Sequence, residues 1–134
     1  MDEPMAREQL LIDTSLLIDH LRKQRKDQTL FYRVTFEHEC LISAITEFEF
    51  RVGSTPKNHQ FIEEVLQDLP VLPFDSACVQ VASDLYQELK GHNQLLALPD
   101  MFIAATAIVH QLPLLTFNRA HFARISRLKL SEFL

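Results

Sequence analysis

The sequence predicts an α/β fold, a three-layer α/β/α sandwich with a mostly parallel central sheet, on three observations. Short apolar runs that read as strands are separated throughout by segments of helical period, the order expected when parallel strands are joined by crossover helices. One of those helices, 101–110, presents Ile103, Ala104, Ala107 and Ile108 as a small-residue face suited to close packing on a sheet. The chain also has 134 residues, 47% of them hydrophobic, which suffices for one domain over 1–134 with a single buried core.

Taken in order, 9–12 is a short apolar run stopped by Asp13-Thr14-Ser15, after which Leu16, Leu17, His20 and Leu21 recur at helical spacing to about Arg22. A second helix is expected over 28–37. The compact apolar run 40–43 reads as the next strand, followed by a helix over 45–52 that stops at Gly53. Ser54-Thr55-Pro56 is a turn. Residues 58–68 place Phe61, Ile62, Val65, Leu66 and Leu69 on one helical face, and Val71-Leu72 is a strand leading to Asp75, the N-cap of a helix reaching about Leu89. Pro99 and Asp100 open the helix 101–110. Leu114-Leu115-Thr116 is then a strand, and 128–130 supplies a final edge strand.

Composition removes several function classes. With two glycines in all, the chain has neither a GxGxxG nor a GxxxxGK[ST] loop to cradle phosphates. Cys40 and Cys78 stand far apart in apolar surroundings with no CxxC partner, so they read as reduced core residues. Histidines 20, 38, 59, 92 and 110 lack metal-ligand spacing, which speaks against zinc. The N-terminal MDEPMAREQ is polar and the longest apolar run falls far short of a bilayer span, so no membrane association and a cytoplasmic location are expected. A net charge of −5 means that any nucleic acid must be held by a local basic surface. The candidates are the run from Arg22 to Lys26 and the scatter of Arg119, Arg124, Arg127 and Lys129. A helix from Thr14 to Arg22 is roughly 13 Å long at 1.5 Å per residue, so the first cluster is expected to point away from the residues discussed next.

In an open α/β sheet, ligands bind beyond the carboxyl ends of the strands, where loops converge. Asp13 ends the first strand, Thr116 and Asn118 follow the strand at 114, Asp100 begins a helix, and Glu49 lies about one turn into the helix after 40–43. Carboxylates gathered there would repel unless one were protonated or a cation joined them. Mg²⁺ suits such a set, because it accepts one or two carboxylates and keeps several waters. Taken singly, Asp13 can be a helix N-cap, Asp100 a first-turn acid and Glu49 a solvated helix position.

The segments LLIDTSLLIDHLR, LISAITEFEF, PFDSACVQVASDLYQELKGH and LPDMFIAATAIVHQLPLLTFNRAHF, in this order and spacing, resemble the PIN-domain family and within it the VapC-type toxins of bacterial toxin–antitoxin pairs. The resemblance runs from about Leu10 to Phe122. It implies an endoribonuclease dependent on Mg²⁺, or Mn²⁺ as substitute, usually a homodimer and held inactive by a small antitoxin. It carries the family's acids onto Asp13, Glu49 and Asp100 as metal ligands and catalytic residues, with Glu47 as the fallback for Glu49. Where many relatives carry a fourth acid, this chain has Asn118 and His121. The Asn118 amide can orient a water and the Thr116 hydroxyl can bond a carboxylate, but neither adds negative charge, which puts a second metal in doubt.

Two other α/β/α phosphate chemistries lack their residues. A phosphoacceptor domain requires paired acids after the first strand, where Thr14 follows Asp13; a haloacid-dehalogenase-type phosphatase requires an acid at Ser15. A non-catalytic PIN-like binding or scaffold module is the remaining alternative to a nuclease that cuts structured RNA.

Overall fold

A computed structural model describes residues 7–133; most of the polar N-terminal segment read above, residues 1–6, lies outside them. Four strands, β1 (Gln9–Ile12), β2 (Glu39–Ser43), β3 (Val71–Leu72) and β4 (Leu114–Leu115), form one parallel sheet in the order β3-β2-β1-β4. The register pairs Leu10 with Cys40 and Leu11 with Leu41 on one side of β1, and Ile12 with Leu115 on the other. Between the strands lie α1 (Thr14–Arg22), α2 (Leu30–Val34), α3 (Ala44–Val52), α4 (His59–Gln67), α5 (Ser76–Gly91) and α6 (Leu98–Val109), and α7 (Arg119–Phe122) follows β4.

The period of two along each strand sends neighbouring side chains to opposite faces, and both faces are covered. Leu11, Leu41 and Leu114 pack with Leu85, Leu89, Met101, Ile103 and Ala104 of α5 and α6. Leu10, Ile12, Ile42 and Leu115 pack with Leu16 and Leu17 of α1, Phe50 of α3 and Ile62 and Leu66 of α4. Ala104, Ala105 and Ala107 are at most 1% exposed, so the small face of α6 seats its backbone close to the sheet.

Two elements differ from expectation. In place of a helix over 28–37, a 3₁₀ turn at Lys26–Gln28 precedes the five-residue α2. The hydroxyl of Thr29 accepts from the Tyr32 N–H and starts the helix, while the Thr35 hydroxyl donates to the Tyr32 carbonyl at its end. The tail makes a single parallel bridge, Leu130 to Leu114 of β4, rather than a full strand. Asp75 caps α5 as expected, accepting from the Cys78 N–H at 3.1 Å. Both cysteines are free and buried, and burial pushes the Cys40 thiol up to about 11.

Packing of α1 on α2 encloses His20, 6% exposed, with Nδ1 2.6 Å from the Thr29 hydroxyl and its ring between Phe31 and Phe61. Burial, then the nearby Lys26 charge, lowers its pKa, with Asp19 opposing. The unfolded chain therefore binds this proton more readily. The stability is complete above the unfolded pKa of about 6.5 and is lost as pH falls toward the folded value. Calorimetry between about pH 7 and pH 5 is expected to show a falling melting temperature, with a shallower fall for His20→Gln; equal slopes would rule the contribution out.

Candidate active site

The chain runs β1 to β2 to β3 in one direction and then returns to place β4 on the other side of β1, so the strand order reverses between β1 and β4. A crevice is expected at the carboxyl ends flanking such a reversal. Asp13 leaves β1 there and Thr116 leaves β4 beside it. Asp13 is 3% exposed, and its Oδ2 accepts hydrogen bonds from the Thr116 hydroxyl at 2.7 Å and the Ser15 hydroxyl at 2.8 Å. By backbone position Asp13 is the N-cap of α1, yet its carboxylate makes no capping bond. The side chain is thus held toward the crevice, contrary to the bland reading of this acid as a helix cap.

Glu49 arrives from α3. The Ser43 hydroxyl accepts from the Thr46 N–H and fixes the start of that helix, and Phe50, fully buried, anchors it to the sheet. One turn in, Glu49 Oε1 accepts from the Thr14 hydroxyl at 2.7 Å, which stitches α3 to α1. Glu47 instead pairs with Arg51 at 2.9 Å, on the far side of α3 beside Glu63. The fallback residue is therefore held away from the crevice. Asp100 sits at the third position of α6, half-buried. Burial raises its pKa, the charges of Asp13 and Glu49 raise it further, and His121 of α7 opposes them. Mutual repulsion among the three acids is thereby felt at Asp100, as expected of a site that waits for a proton or a cation.

Asp13, Glu49, Asp100 and Asn118 line one open cleft of about 520 Å³, floored by Thr14, Ser15, Ile18 and Asp19 of α1. Thr116 lies just beneath, bonding both Asp13 and the Asn118 N–H. Among the described residues, no three His, Cys, Asp or Glu side chains converge closely enough to form a ready metal cage. The donor set is nonetheless all oxygen, which fits a hard, hydrated ion such as Mg²⁺ that takes one or two carboxylates and completes its shell with water.

Two findings go beyond the sequence reading. The hydroxyls of Thr14 and Ser15, to which the sequence reading gave no part in the site, are the groups that orient Glu49 and Asp13; an Asp-Thr-Ser run directly after a strand was the available signal. Arg22 and Lys23, expected to point away from the acids, line the same cleft. Helical side chains lean toward the helix N-terminus, and the face of α1 that carries Ile18 carries Arg22 one turn later. Of the C-terminal basic residues, Arg119 donates to the Ser131 carbonyl and pairs with Glu132 of the tail, and Arg124 donates to the Leu95 carbonyl ahead of α6. No helix among the described residues is long and apolar enough to cross a membrane.

Known proteins resemble the chain along most of its length. The PIN domain profile matches residues 10–128. Ribonuclease VapC1 of Methanocaldococcus jannaschii is 31% identical over 125 residues, covering 92% of this chain and 86% of that protein. A toxin–antitoxin complex from Klebsiella pneumoniae contains a chain 30% identical, with a TM-score of 0.72 and coverage of 89% and 94%. VapBC-1 from nontypeable Haemophilus influenzae, 22% identical, shares the fold with a TM-score of 0.78 over 93% and 98% of the two chains.

Proposed function

The chain belongs to the PIN-domain family and groups there with the VapC-type ribonucleases, and from that premise we propose that it is a metal-dependent endoribonuclease, the toxin of a toxin–antitoxin pair. Its substrate in this reading is structured RNA, tRNA or rRNA, and its partners are a small antitoxin and a second copy of itself. The observation that carries the proposal is the shared cleft of Asp13, Glu49 and Asp100 at the strand reversal.

Asp13, Asp100 and Glu49 would hold Mg²⁺, or Mn²⁺ in its place. When bound, such an ion supplies charge neutralisation on the phosphate and acidifies a water. Every other task falls to the chain. The Thr116 and Ser15 hydroxyls fix the Asp13 carboxylate, so that it meets the ligand already oriented. Thr14 does the same for Glu49. A carboxylate of Glu49 or Asp100 not occupied by the ion would orient the attacking water and take its proton. Asn118, exposed at the lip of the cleft, offers an amide to the same water or to a phosphate oxygen.

The test is cleavage of mixed tRNA and rRNA by purified protein. Cutting is expected in Mg²⁺ or Mn²⁺, is expected to stop in EDTA and to return when excess Mn²⁺ is added. A well-folded protein that cuts under none of these conditions would leave the binding-module reading in its place.

A further inference from the structure

We propose that Arg22 and Lys57 bind backbone phosphates of the RNA strand beside the cut, as a cationic track that continues the acidic cleft along α1. This inference rests on the ribonuclease reading and adds where the flanking strand lies. The cleft does not end at the acids. Ile18 and Arg22 also line a second open groove of about 560 Å³, whose remaining wall includes Leu21, Lys26, Lys57, Asn58 and Phe61. Both depressions are lined by Ile18 in the middle of α1 and by Arg22 at its end, so they adjoin along that helix as a trough with its acids at the Asp13 end and its basic residues at the other.

The cations along this trough are not equivalent. Lys23 pairs with Asp19 at 3.3 Å, and Arg25 with Asp27 at 3.2 Å. Lys26 donates to the carbonyls of His20, Leu21 and Lys23, which closes the end of α1, and it lies over the Phe61 ring. Among the described residues, Arg22 and Lys57 make neither an ion pair nor a side-chain hydrogen bond, and both are exposed. With Lys26 satisfying the last carbonyls of α1, Arg22 is released from that duty. Its guanidinium can grip a phosphate with two parallel bonds, whereas Lys57 acts as a point charge. From Ser15 to Arg22 the helix rises roughly 10 Å at 1.5 Å per residue, which sets Arg22 along the strand from the acids rather than among them. A polyanion entering this trough meets the acids only where a cation can offset them, and the free cations fix its direction.

Binding of a fluorescein-labelled single-stranded RNA oligonucleotide of mixed sequence, followed by anisotropy in EDTA so that nothing is cut, tests the track. Arg22→Gln and Lys57→Gln are each expected to weaken binding several-fold and to lower the slope of log K against log salt by about 0.7, the single-strand value for one phosphate contact. Arg22→Lys is expected to restore the slope but only part of the affinity. In cleavage assays the loss is expected to fall on KM rather than kcat. Lys90→Gln, outside the trough, serves as the control. Unchanged slopes in both Gln variants overturn the proposal, as does a loss confined to kcat. If the variants keep their RNA slope but release a copurifying small protein, the trough belongs to a protein partner and the proposal likewise fails. RNA binding with the expected slopes but no cutting in Mn²⁺ would defeat the ribonuclease reading and leave the track standing.

Discussion

Asp13→Asn is expected to reduce RNA cleavage by about a thousandfold or more, a loss of ~4 kcal/mol in transition-state stabilisation, while the protein stays folded. The amide oxygen can still accept from Thr116 and Ser15, so the two hydroxyls that hold the side chain keep a partner and the buried position is not left unsatisfied. What is lost is the negative charge, and with it the affinity for a divalent ion. Cleavage under Mn²⁺ measured beside circular dichroism separates the two effects; an Asp13→Asn protein as active as wild type would remove this residue from the site. Asp100→Asn is expected to be comparably inactive and, unlike Asp13→Asn, to melt at a higher temperature than wild type without divalent ions. The folded pKa of Asp100 is raised, by burial first and by Asp13 and Glu49 next. Its ionised form is therefore disfavoured in the folded state, a cost present at neutral pH and relieved as pH falls below the folded pKa. Added Mg²⁺ is expected to raise the melting temperature of wild type more than that of Asp100→Asn.

Phe50→Ala is expected to destabilise the fold by about 3–5 kcal/mol, a large share of the 5–15 kcal/mol typical of a domain of this kind. Phe50 is fully buried where α3 meets the sheet face that also carries Leu10, Ile12 and Ile42. Its removal leaves a cavity that the side chains packed around it on the sheet, α1 and α4 can only partly close. Because Glu49 is its chain neighbour, the same change loosens one acid of the cleft. Urea titration is expected to move the midpoint sharply downward without a comparable change in slope. A shift below about 1 kcal/mol would show that α3 is not anchored through this ring.

Much of this was legible in the chain itself. Apolar runs at 9–12, 40–43, 71–72 and 114–115 marked the strands because a sheet covered on both faces needs apolar side chains in both directions. The alanine face of α6 announced its close seating for an equally local reason: small side chains bring backbones together. The acids at 13, 49 and 100 were visible as residues at strand ends and helix starts. Short-range competition was harder to see. The hydroxyls of Thr29 and Thr35 cut α2 to five residues, against an expected ten, because side chain to backbone bonds outweigh a weak apolar period.

By itself the sequence determined the strand and helix order, the layered architecture and the set of acids available to the cleft, since each follows from periodicity and residue type within a window of a few turns. Only the tertiary structure decided which acids share the cleft. It turned Glu49 toward Thr14 while Arg51 holds Glu47 away, added the Thr14 and Ser15 hydroxyls to the expected one of Thr116 as the groups that hold the acids, and left Arg22 unpaired along the same cleft. The decisive ones depend on contacts across more than thirty residues, Thr14 to Glu49 and Asp13 to Thr116. The strand order that brings such distant positions together is set by the packing of both sheet faces at once, which no local pattern encodes.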